Sequence, residues 1–154
     1  MKKAIKITGI IAASLFLLAV TGAFVLGITP LSLGLHKPVY TQTGKALAGY
    51  DAVSYFQGKP VLGSEQFAYK WRESTWLFSS AENLNTFKTD PEKFMPAYGG
   101  YCTKAVSTGF AAPGNPEVWL IKDGQLFLFA SEAVKEEFIK DPESITAACN
   151  KAWQ

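Results

Sequence analysis

An uncharged, mostly apolar run over residues 7–35 constrains this chain more than any other feature. It is longer than the roughly 20 residues that a helix needs to cross the hydrocarbon core of a bilayer. Lys2, Lys3 and Lys6 precede the run, and Lys37 follows it. Because positive charges favour the cytoplasmic side, this asymmetry predicts an N-terminus inside and the rest of the chain outside.

The length of the apolar run indicates whether it is a cleaved signal peptide or an uncleaved anchor. A cleaved signal peptide has an apolar core of roughly 7 to 15 residues and a small-residue cleavage site. This run is longer and has no clear Ala-x-Ala site. The sequence therefore favours an uncleaved signal anchor or transmembrane helix over residues 1–35, in the cytoplasmic membrane. The alternative is a cleaved signal that releases the protein into the periplasm.

The rest of the chain reads as one extracytoplasmic domain. Proline and glycine punctuate residues 30–44, which predicts a tether over 36–47 before a domain over 48–154. From residue 36 onward, 12 Lys and Arg oppose 13 Asp and Glu, so no basic surface for nucleic acid is expected. The sequence shows no evident internal repeat, and 19 of its 21 aromatic residues lie in this part, enough for one core.

Local patterns predict an α+β fold in which a small antiparallel sheet of hairpins accompanies short helices. Aromatic-rich segments 66–71 and 75–78 flank the polar residues 72–74, and segments 118–121 and 126–129 flank Asp123-Gly124, so each pair predicts a hairpin. Segment 48–56 predicts a further short strand that ends near Gly58.

The predicted helices begin at polar capping residues. Ser79 followed by Glu82 indicates a capping box for a helix over 80–88, and Asp90-Pro91 begins a short second turn. Ser131 caps a helix to residue 140, whose inward residues are expected to be Val134, Phe138 and Ile139. Asp141-Pro142 then begins a helix to about residue 153.

Two cysteines are the best candidates for reactive chemistry. In an oxidising compartment Cys102 and Cys149 could form a disulfide, and independent burial of the two thiols is an equal alternative. A free Cys102 thiolate could also bind a soft metal such as copper or zinc. Catalytic motifs are missing and the single histidine, His36, falls in the predicted tether, so an enzyme is not expected.

Glycines and hydroxyl side chains predict a ligand pocket. Asp51, Tyr55, Tyr98 and Tyr101 lie near glycines and could present oxygen atoms to a ligand, together with Cys102. The alternative is structural, since buried tyrosines commonly satisfy their hydroxyls internally and Asp51 could close an Asx turn.

Four motifs together resemble those of YHS-domain proteins. They are GYDAVSYF at 49–56, FSS at 78–80, DPEKF at 90–94 and YGGYC at 98–102. The resemblance is to the membrane-anchored or secreted bacterial branch of the family and covers roughly residues 45–153. It implies a fold more than an activity.

The wider family that this chain resembles includes metal-binding modules attached to copper-transporting ATPases. The resemblance places three family cysteines at Ser54, Ser79 and Asn83, none of which is a thiol here. The metal-binding cysteine set is therefore lacking, and metal binding is not carried over from the family.

The sequence supports a membrane-tethered, non-enzymatic binding module of YHS type, whose ligand is a small molecule, a metal or a membrane or extracytoplasmic protein. The alternative is a thiol-based metal-handling or redox protein that uses Cys102, with or without Cys149. An accessory role beside an oxygenase would rest on family association alone.

Overall fold

A computed structural model describes residue 18 and residues 20–153, and it shows an α+β fold with small sheets and several short helices. Residues 20–25 are helical. Among the described residues, no helix is both long and apolar enough to cross a bilayer. Most of the predicted anchor helix lies outside the described residues.

Eight strands and six α-helices follow the N-terminal helical residues. The strands are β1 (Thr29–Pro30), β2 (Thr41–Gln42), β3 (Lys45–Ala46), β4 (Ser64–Trp71), β5 (Ser74–Phe78), β6 (Phe110–Ala111), β7 (Asn115–Lys122) and β8 (Gln125–Phe129). The helices are α1 (Ala52–Phe56), α2 (Ala81–Thr89), α3 (Pro91–Phe94), α4 (Thr103–Ser107), α5 (Glu132–Lys140) and α6 (Pro142–Ala152).

Both predicted hairpins are confirmed, as β4–β5 and β7–β8. The first turn is tighter than the three residues expected, because Trp71 pairs with Ser74 and leaves only Arg72 and Glu73 between the strands. Both turn residues have positive φ, as do Asp123 and Gly124 in the second turn. Turns of this hand match the natural twist of the two strands that they join.

The sheets are mostly antiparallel, as predicted. One sheet has the order β2-β3-β5-β4, and β1–β6 and β7–β8 form two-stranded sheets. The exception is β3, which pairs with β5 in parallel through Lys45 and Thr75.

The strand predicted over 48–56 is wrong, because residues 52–56 form helix α1. Asp51 caps this helix by accepting a hydrogen bond from the Val53 N–H at 2.9 Å. Before it, Gly49 takes a φ of 89°, a conformation that turns the chain and that glycine adopts easily. A short apolar run does not distinguish a buried helical turn from a strand, which explains the error.

Most predicted helix starts are confirmed, with two corrections. Ser131, Asp90 and Asp141 each cap a helix, but α2 is capped by Ser80 rather than Ser79. In α5, Phe138 is buried as expected, whereas its neighbour Ile139 is exposed. Adjacent helical residues point about 100° apart, so the two side chains do not share one face.

Segment 36–47 is not the extended tether that the sequence predicts. Val39 and Ala46 are buried, and strands β2 and β3 lie within the segment. The Tyr40 N–H donates to the Gly99 carbonyl at 2.8 Å. A side chain at Gly99 would overlap the Pro38 carbonyl, so this glycine is what allows the segment to pack closely.

The domain contains an internal repeat that the sequence analysis missed. Strands β4 and β5 and helices α1, α2 and α3 recur 51 residues later as β7, β8, α4, α5 and the first turn of α6. The β-bulge between Ser64 and Ala68 recurs between Asn115 and Trp119. The expectation that the domain contains no internal repeat is therefore wrong, because its strands and helices repeat.

The repeat extends to turns and single hydrogen bonds. The Asp51 N–H donates to Val61 O at 2.8 Å, and the Cys102 N–H donates to Ala112 O at 2.9 Å. Few residues are identical between the halves, so the repeat is hard to see in the sequence. The identities occupy caps, turns and core positions, including Gly49/Gly100, Gly63/Gly114, Ser80/Ser131, Phe87/Phe138, Asp90/Asp141 and Pro91/Pro142.

Two clusters of buried apolar side chains form the core. The first cluster surrounds Phe87, and the second surrounds Phe138. Strand β8 serves both clusters, because Leu126 and Leu128 pack in the first and Phe127 and Phe129 in the second. Successive strand residues face opposite sides, so this one strand joins the two halves into a single packed body.

Candidate functional site

The structure divides the five residues predicted to share a pocket. Asp51, Tyr55 and Cys102 are buried, with at most 3% of each exposed. Tyr55 belongs to the first cluster, whereas Tyr98 and Tyr101 belong to the second. Of the five, Tyr101 lines a sizeable surface cavity. The five residues therefore do not form the single concavity that the sequence analysis expects.

Asp51 is the centre of a buried hydrogen-bond network. Its Oδ1 accepts from the Val53 N–H, and its Oδ2 accepts from the Ser79 N–H at 2.8 Å, the Ser79 hydroxyl at 2.6 Å and the Asn83 amide at 2.7 Å. This carboxylate links α1 to the start of α2. Internal donors occupy both oxygens, so the geometry assigns Asp51 a structural role.

The three positions that the YHS resemblance assigns to family cysteines lie together around Asp51. Ser79 and Asn83 bond to its carboxylate and to each other, and the Ser54 hydroxyl donates to its carbonyl at 2.7 Å. Ser79 and Asn83 are only four residues apart, whereas Ser54 is distant from both in the sequence and only the fold brings it to them. Here the cluster is a network of hydroxyl, amide and carboxylate groups.

Tyr55 and Tyr98 also have internal partners. The Tyr55 hydroxyl donates to the Pro116 carbonyl at 2.8 Å, and the Tyr98 hydroxyl donates to Asn150 Oδ1 at 3.0 Å. Burial raises the pKa of both hydroxyls above its ordinary value. Both tyrosines therefore stay neutral at physiological pH and tie distant segments together.

Both cysteines are free, buried thiols, which agrees with the second of the two alternatives. The Cys149 thiol donates to the Thr103 carbonyl at 3.1 Å, and burial raises its pKa to about 11. A thiol with this pKa is a poor nucleophile at neutral pH. Within the described residues, no group of three or more His, Cys, Asp and Glu side chains could hold a metal.

Burial of Cys149 predicts a loss of stability at high pH. The folded pKa of about 11 exceeds the unfolded value of 9.0, so this contribution is complete below pH 9 and is lost as the pH rises towards 11. The free energy of unfolding should fall by about 1.4 kcal/mol per pH unit within this window. Urea unfolding at pH 8, 9 and 10 would measure the slope.

Two variants control this experiment. Cys149→Ala should reduce the slope between pH 9 and 10, and Cys102→Ala should retain it because Cys149 is still present. An unchanged slope in Cys149→Ala would contradict the assignment to that thiol.

A surface cavity of about 300 Å³, called here the His36 cavity, lies at the end of the domain where the N-terminal helical residues enter. Its walls come from the helix end, the segment predicted as a tether and the loop before α4. The lining residues are Phe24, Gly27, Thr29, Leu35, His36, Lys37, Tyr40, Thr41 and Tyr101.

Aromatic rings pack at the base of this cavity. The His36 ring lies 4.8 Å from the Trp153 ring and 6.1 Å from the Tyr101 ring, and the Tyr40 and Tyr101 rings are 5.4 Å apart, all between centroids. The Tyr101 hydroxyl accepts a hydrogen bond from the Lys37 N–H at 3.1 Å. These contacts hold segment 36–40 against the C-terminal end of α6.

One nitrogen in this cluster has no partner among the described residues. The Nδ1 atom of His36 is buried and makes no hydrogen bond with any residue that the structure describes. Buried polar atoms are nearly always paired, because an unpaired one costs about 1–3 kcal/mol. Such a group calls for an explanation, and a bound water, ion or ligand is one of the usual ones, so the surroundings of His36 are a candidate site.

The described residues that line the cavity are chemically mixed but carry only one sign of charge. Rings and apolar side chains make most of the wall, and Thr29, Thr41, Tyr40 and Tyr101 bring hydroxyl groups. Lys37 brings a positive charge, and none of the described lining residues has a carboxylate. This composition suits a small aromatic or amphipathic molecule with a hydrogen-bonding or anionic group.

Sequence analysis named Tyr101 as a site residue but missed His36, Lys37 and Tyr40. It placed all three in a tether, since local proline and glycine signals outweighed the buried Val39 between them. The available signal was the grouping of His36, Lys37 and Tyr40 within five residues, an unusual composition for a flexible linker.

Comparison with known proteins adds no assignment. No protein-family model matches the chain, and neither the curated proteins nor the solved structures yield a match.

Proposed function

We propose that this protein is a membrane-tethered, extracytoplasmic, non-enzymatic binding module of YHS type that takes a small aromatic or amphipathic anion in the His36 cavity. One observation carries the proposal. It is the cavity itself, where aromatic rings, hydroxyl groups and Lys37 surround about 300 Å³ beside a buried His36 nitrogen that has no partner among the described residues.

The clustering around Asp51 supports the YHS part of the proposal. Ser79 and Asn83 are four residues apart at a helix start and are neighbours in any case. Ser54 is distant from them in the sequence, and a wrong alignment would give it no reason to lie beside them. Ser54, Ser79 and Asn83 nevertheless lie around one carboxylate. Replacement of the three family cysteines by hydroxyl and amide groups that bond to Asp51 argues against a soft-metal site at this position.

Two features of the N-terminal part support the membrane tether, namely its lack of acidic residues and its continuous apolar run. No Asp or Glu occurs before Asp51, and the apolar run continues upstream to residue 7. The helical residues 20–25 carry exposed Phe24 and Val25 and lead almost directly into β1. Exposed apolar side chains on such a segment are expected where lipid replaces water.

Three small aromatic probes of different charge test the ligand class. The full chain in lipid nanodiscs is titrated with benzoate, benzyl alcohol and benzylammonium by isothermal calorimetry, with empty nanodiscs as the blank. Benzoate should bind most tightly, because Lys37 attracts its carboxylate and none of the described lining residues is acidic. Tyr40→Ala should weaken benzoate binding by about fivefold to tenfold, the effect of losing one aromatic contact.

Two further variants make the result specific. Tyr69→Ala removes a tyrosine that packs on Phe87 away from the cavity and should leave benzoate affinity unchanged. Lys37→Gln keeps the fold, since Lys37 is exposed. It should reduce the difference in binding affinity between benzoate and benzyl alcohol. Absence of benzoate binding, or equal losses in Tyr40→Ala and Tyr69→Ala, would contradict the proposal.

The thiol-based alternative has less support. Cys102 is 3% exposed and Cys149 is fully buried, so neither presents a thiolate to a partner without local opening. Alkylation of the native protein distinguishes the two functions. Rapid modification of Cys102 without denaturant would favour the thiol function, whereas protection of both cysteines would argue against it.

A further inference from the structure

We propose that the domain rests directly on the lipid bilayer through an apolar patch formed by Leu33, Leu35 and Phe110. This inference rests on the proposed membrane tether and goes beyond it, because a tethered domain need not touch the lipid. The patch would place the His36 cavity, which includes Leu35, at the membrane surface.

Exposed apolar residues concentrate at one end of the molecule. Of the eleven large apolar side chains found exposed among the described residues, eight lie within residues 18–35 or at Phe110. Leu33 is 58% exposed, Leu35 is 59% exposed and Phe110 is 43% exposed. A concentration of this kind marks an interaction surface, whereas isolated exposed apolar residues do not.

Hydrogen bonds fix the patch beside the end of the N-terminal helical residues. Pro30 of β1 lies opposite Phe110 of β6, and the Leu31 N–H donates to the Gly109 carbonyl at 2.9 Å. Leu31 itself is buried in the second cluster. The chain therefore passes from the helix into the domain without a free linker, and the patch stays next to the point of entry.

A neighbouring groove has the same character. It has a volume of about 630 Å³, and none of the described residues that line it is charged. The lining residues are Pro30, Leu31, Ser32, Gly34, Thr108, Gly109, Phe110 and Ala152. An uncharged groove that opens beside exposed leucines is suited to the boundary between headgroups and acyl chains.

The charges and aromatic residues around the patch favour a lipid surface over a protein partner. Lys37 is exposed near the patch, and no acidic residue precedes Asp51, so nothing from this segment would repel anionic headgroups. Tyr40, Tyr101 and Trp153 pack together nearby, and such rings are enriched at membrane interfaces. The proposed tether, whose apolar run continues upstream to residue 7, also places lipid at this end of the molecule.

Site-directed spin labelling of the full chain in nanodiscs tests the inference. Leu33→Cys, Leu35→Cys and Phe110→Cys each receive a nitroxide, and Leu62→Cys and Ile139→Cys serve as controls because they are 62% and 54% exposed on other parts of the domain. The native cysteines are buried, and the unsubstituted chain checks that they stay unlabelled. Collision rates with oxygen and with a water-soluble nickel complex report the position of each label.

Labels on the patch should show a several-fold higher ratio of oxygen to nickel collisions than the two controls, because oxygen concentrates in lipid and the nickel complex does not. Equal ratios at patch and control positions would overturn the inference. Strong spin–spin broadening at Phe110 together with low collision rates for both oxygen and nickel would assign the face to a second copy and would also overturn the inference.

A separate readout tests the tether. The share of the chain incorporated into nanodiscs, and its resistance to extraction by alkaline carbonate, report anchoring without reference to the patch. If the chain incorporates firmly but its patch labels are exposed to water, the inference of lipid docking is refuted and the tether is retained. A chain that fails to incorporate would refute the tether on which the inference rests.

Discussion

Replacing Asp51 by alanine should lower the free energy of unfolding by about 3–5 kcal/mol, one of the two largest effects expected in this protein. The substitution leaves the Val53 and Ser79 N–H groups and the Asn83 amide without their acceptor in a buried site. Each buried unsatisfied donor costs about 1–3 kcal/mol, although local relaxation reduces the sum. Urea unfolding followed by tryptophan fluorescence measures the loss.

Asp90→Ala is the matched control for Asp51. Asp90 also caps a helix, but it is exposed and accepts a single hydrogen bond, from the Lys93 N–H at 3.3 Å. Its loss should cost about 1 kcal/mol, the ordinary value of a cap. A similar loss of unfolding free energy in Asp51→Ala and Asp90→Ala would show that the contacts from Asp51 to Ser79 and Asn83 contribute little to stability.

Phe87→Ala and Phe138→Ala should each destabilise the protein by about 3–5 kcal/mol, since each removes a fully buried ring from the centre of a cluster. The two residues occupy equivalent places in the repeat. Phe87 should have the larger effect because its ring contacts Trp71, Trp76 and Phe78, whereas that of Phe138 contacts Phe127 and Phe129. Calorimetry and urea unfolding would measure both.

The same pair of variants tests whether the repeated halves unfold together. Strand β8 contributes to both clusters, so a single transition is expected in each variant. Ile139→Ala, beside Phe138 but exposed, should change stability by no more than about 0.5 kcal/mol. Two separate transitions in Phe138→Ala would show that the halves are independent units.

Elements that local chemistry specifies were predicted well. Ser131, Asp90 and Asp141 each cap a helix because a side-chain oxygen bonds to an N–H group two or three residues later, a contact that depends only on neighbours. The Asp123-Gly124 turn follows from residues that accept positive φ. In both cases the interacting atoms lie within a few residues.

Prediction failed where distant residues compete with a local signal. Ser79 and Ser80 are equally good caps in the sequence, but Asp51 engages the Ser79 hydroxyl and leaves the cap to Ser80. Segment 36–47 carries the glycines and prolines of a linker, and it packs because Gly99 leaves room for Pro38. No local pattern around either segment contains this information.

The internal repeat was missed for a related reason. The halves share a backbone, while most side chains differ, as Asp51 differs from Cys102 at equivalent helix starts. Matching positions are caps, turn glycines and single core rings, which are also common in unrelated proteins. The repeat became evident through the constant spacing of complete elements and bulges.

The sequence alone was sufficient for the α+β class, the two hairpins, most helix starts and the apolar N-terminal run, since neighbouring residues encode each of these. The tertiary structure was needed for the repeat, for the network around Asp51 and for the His36 cavity. There His36 meets Trp153 and Tyr40 meets Tyr101, and the two residues of each pair are far apart in the sequence. Contacts between distant segments depend on the packing of every element between them, and short-range patterns do not record that packing.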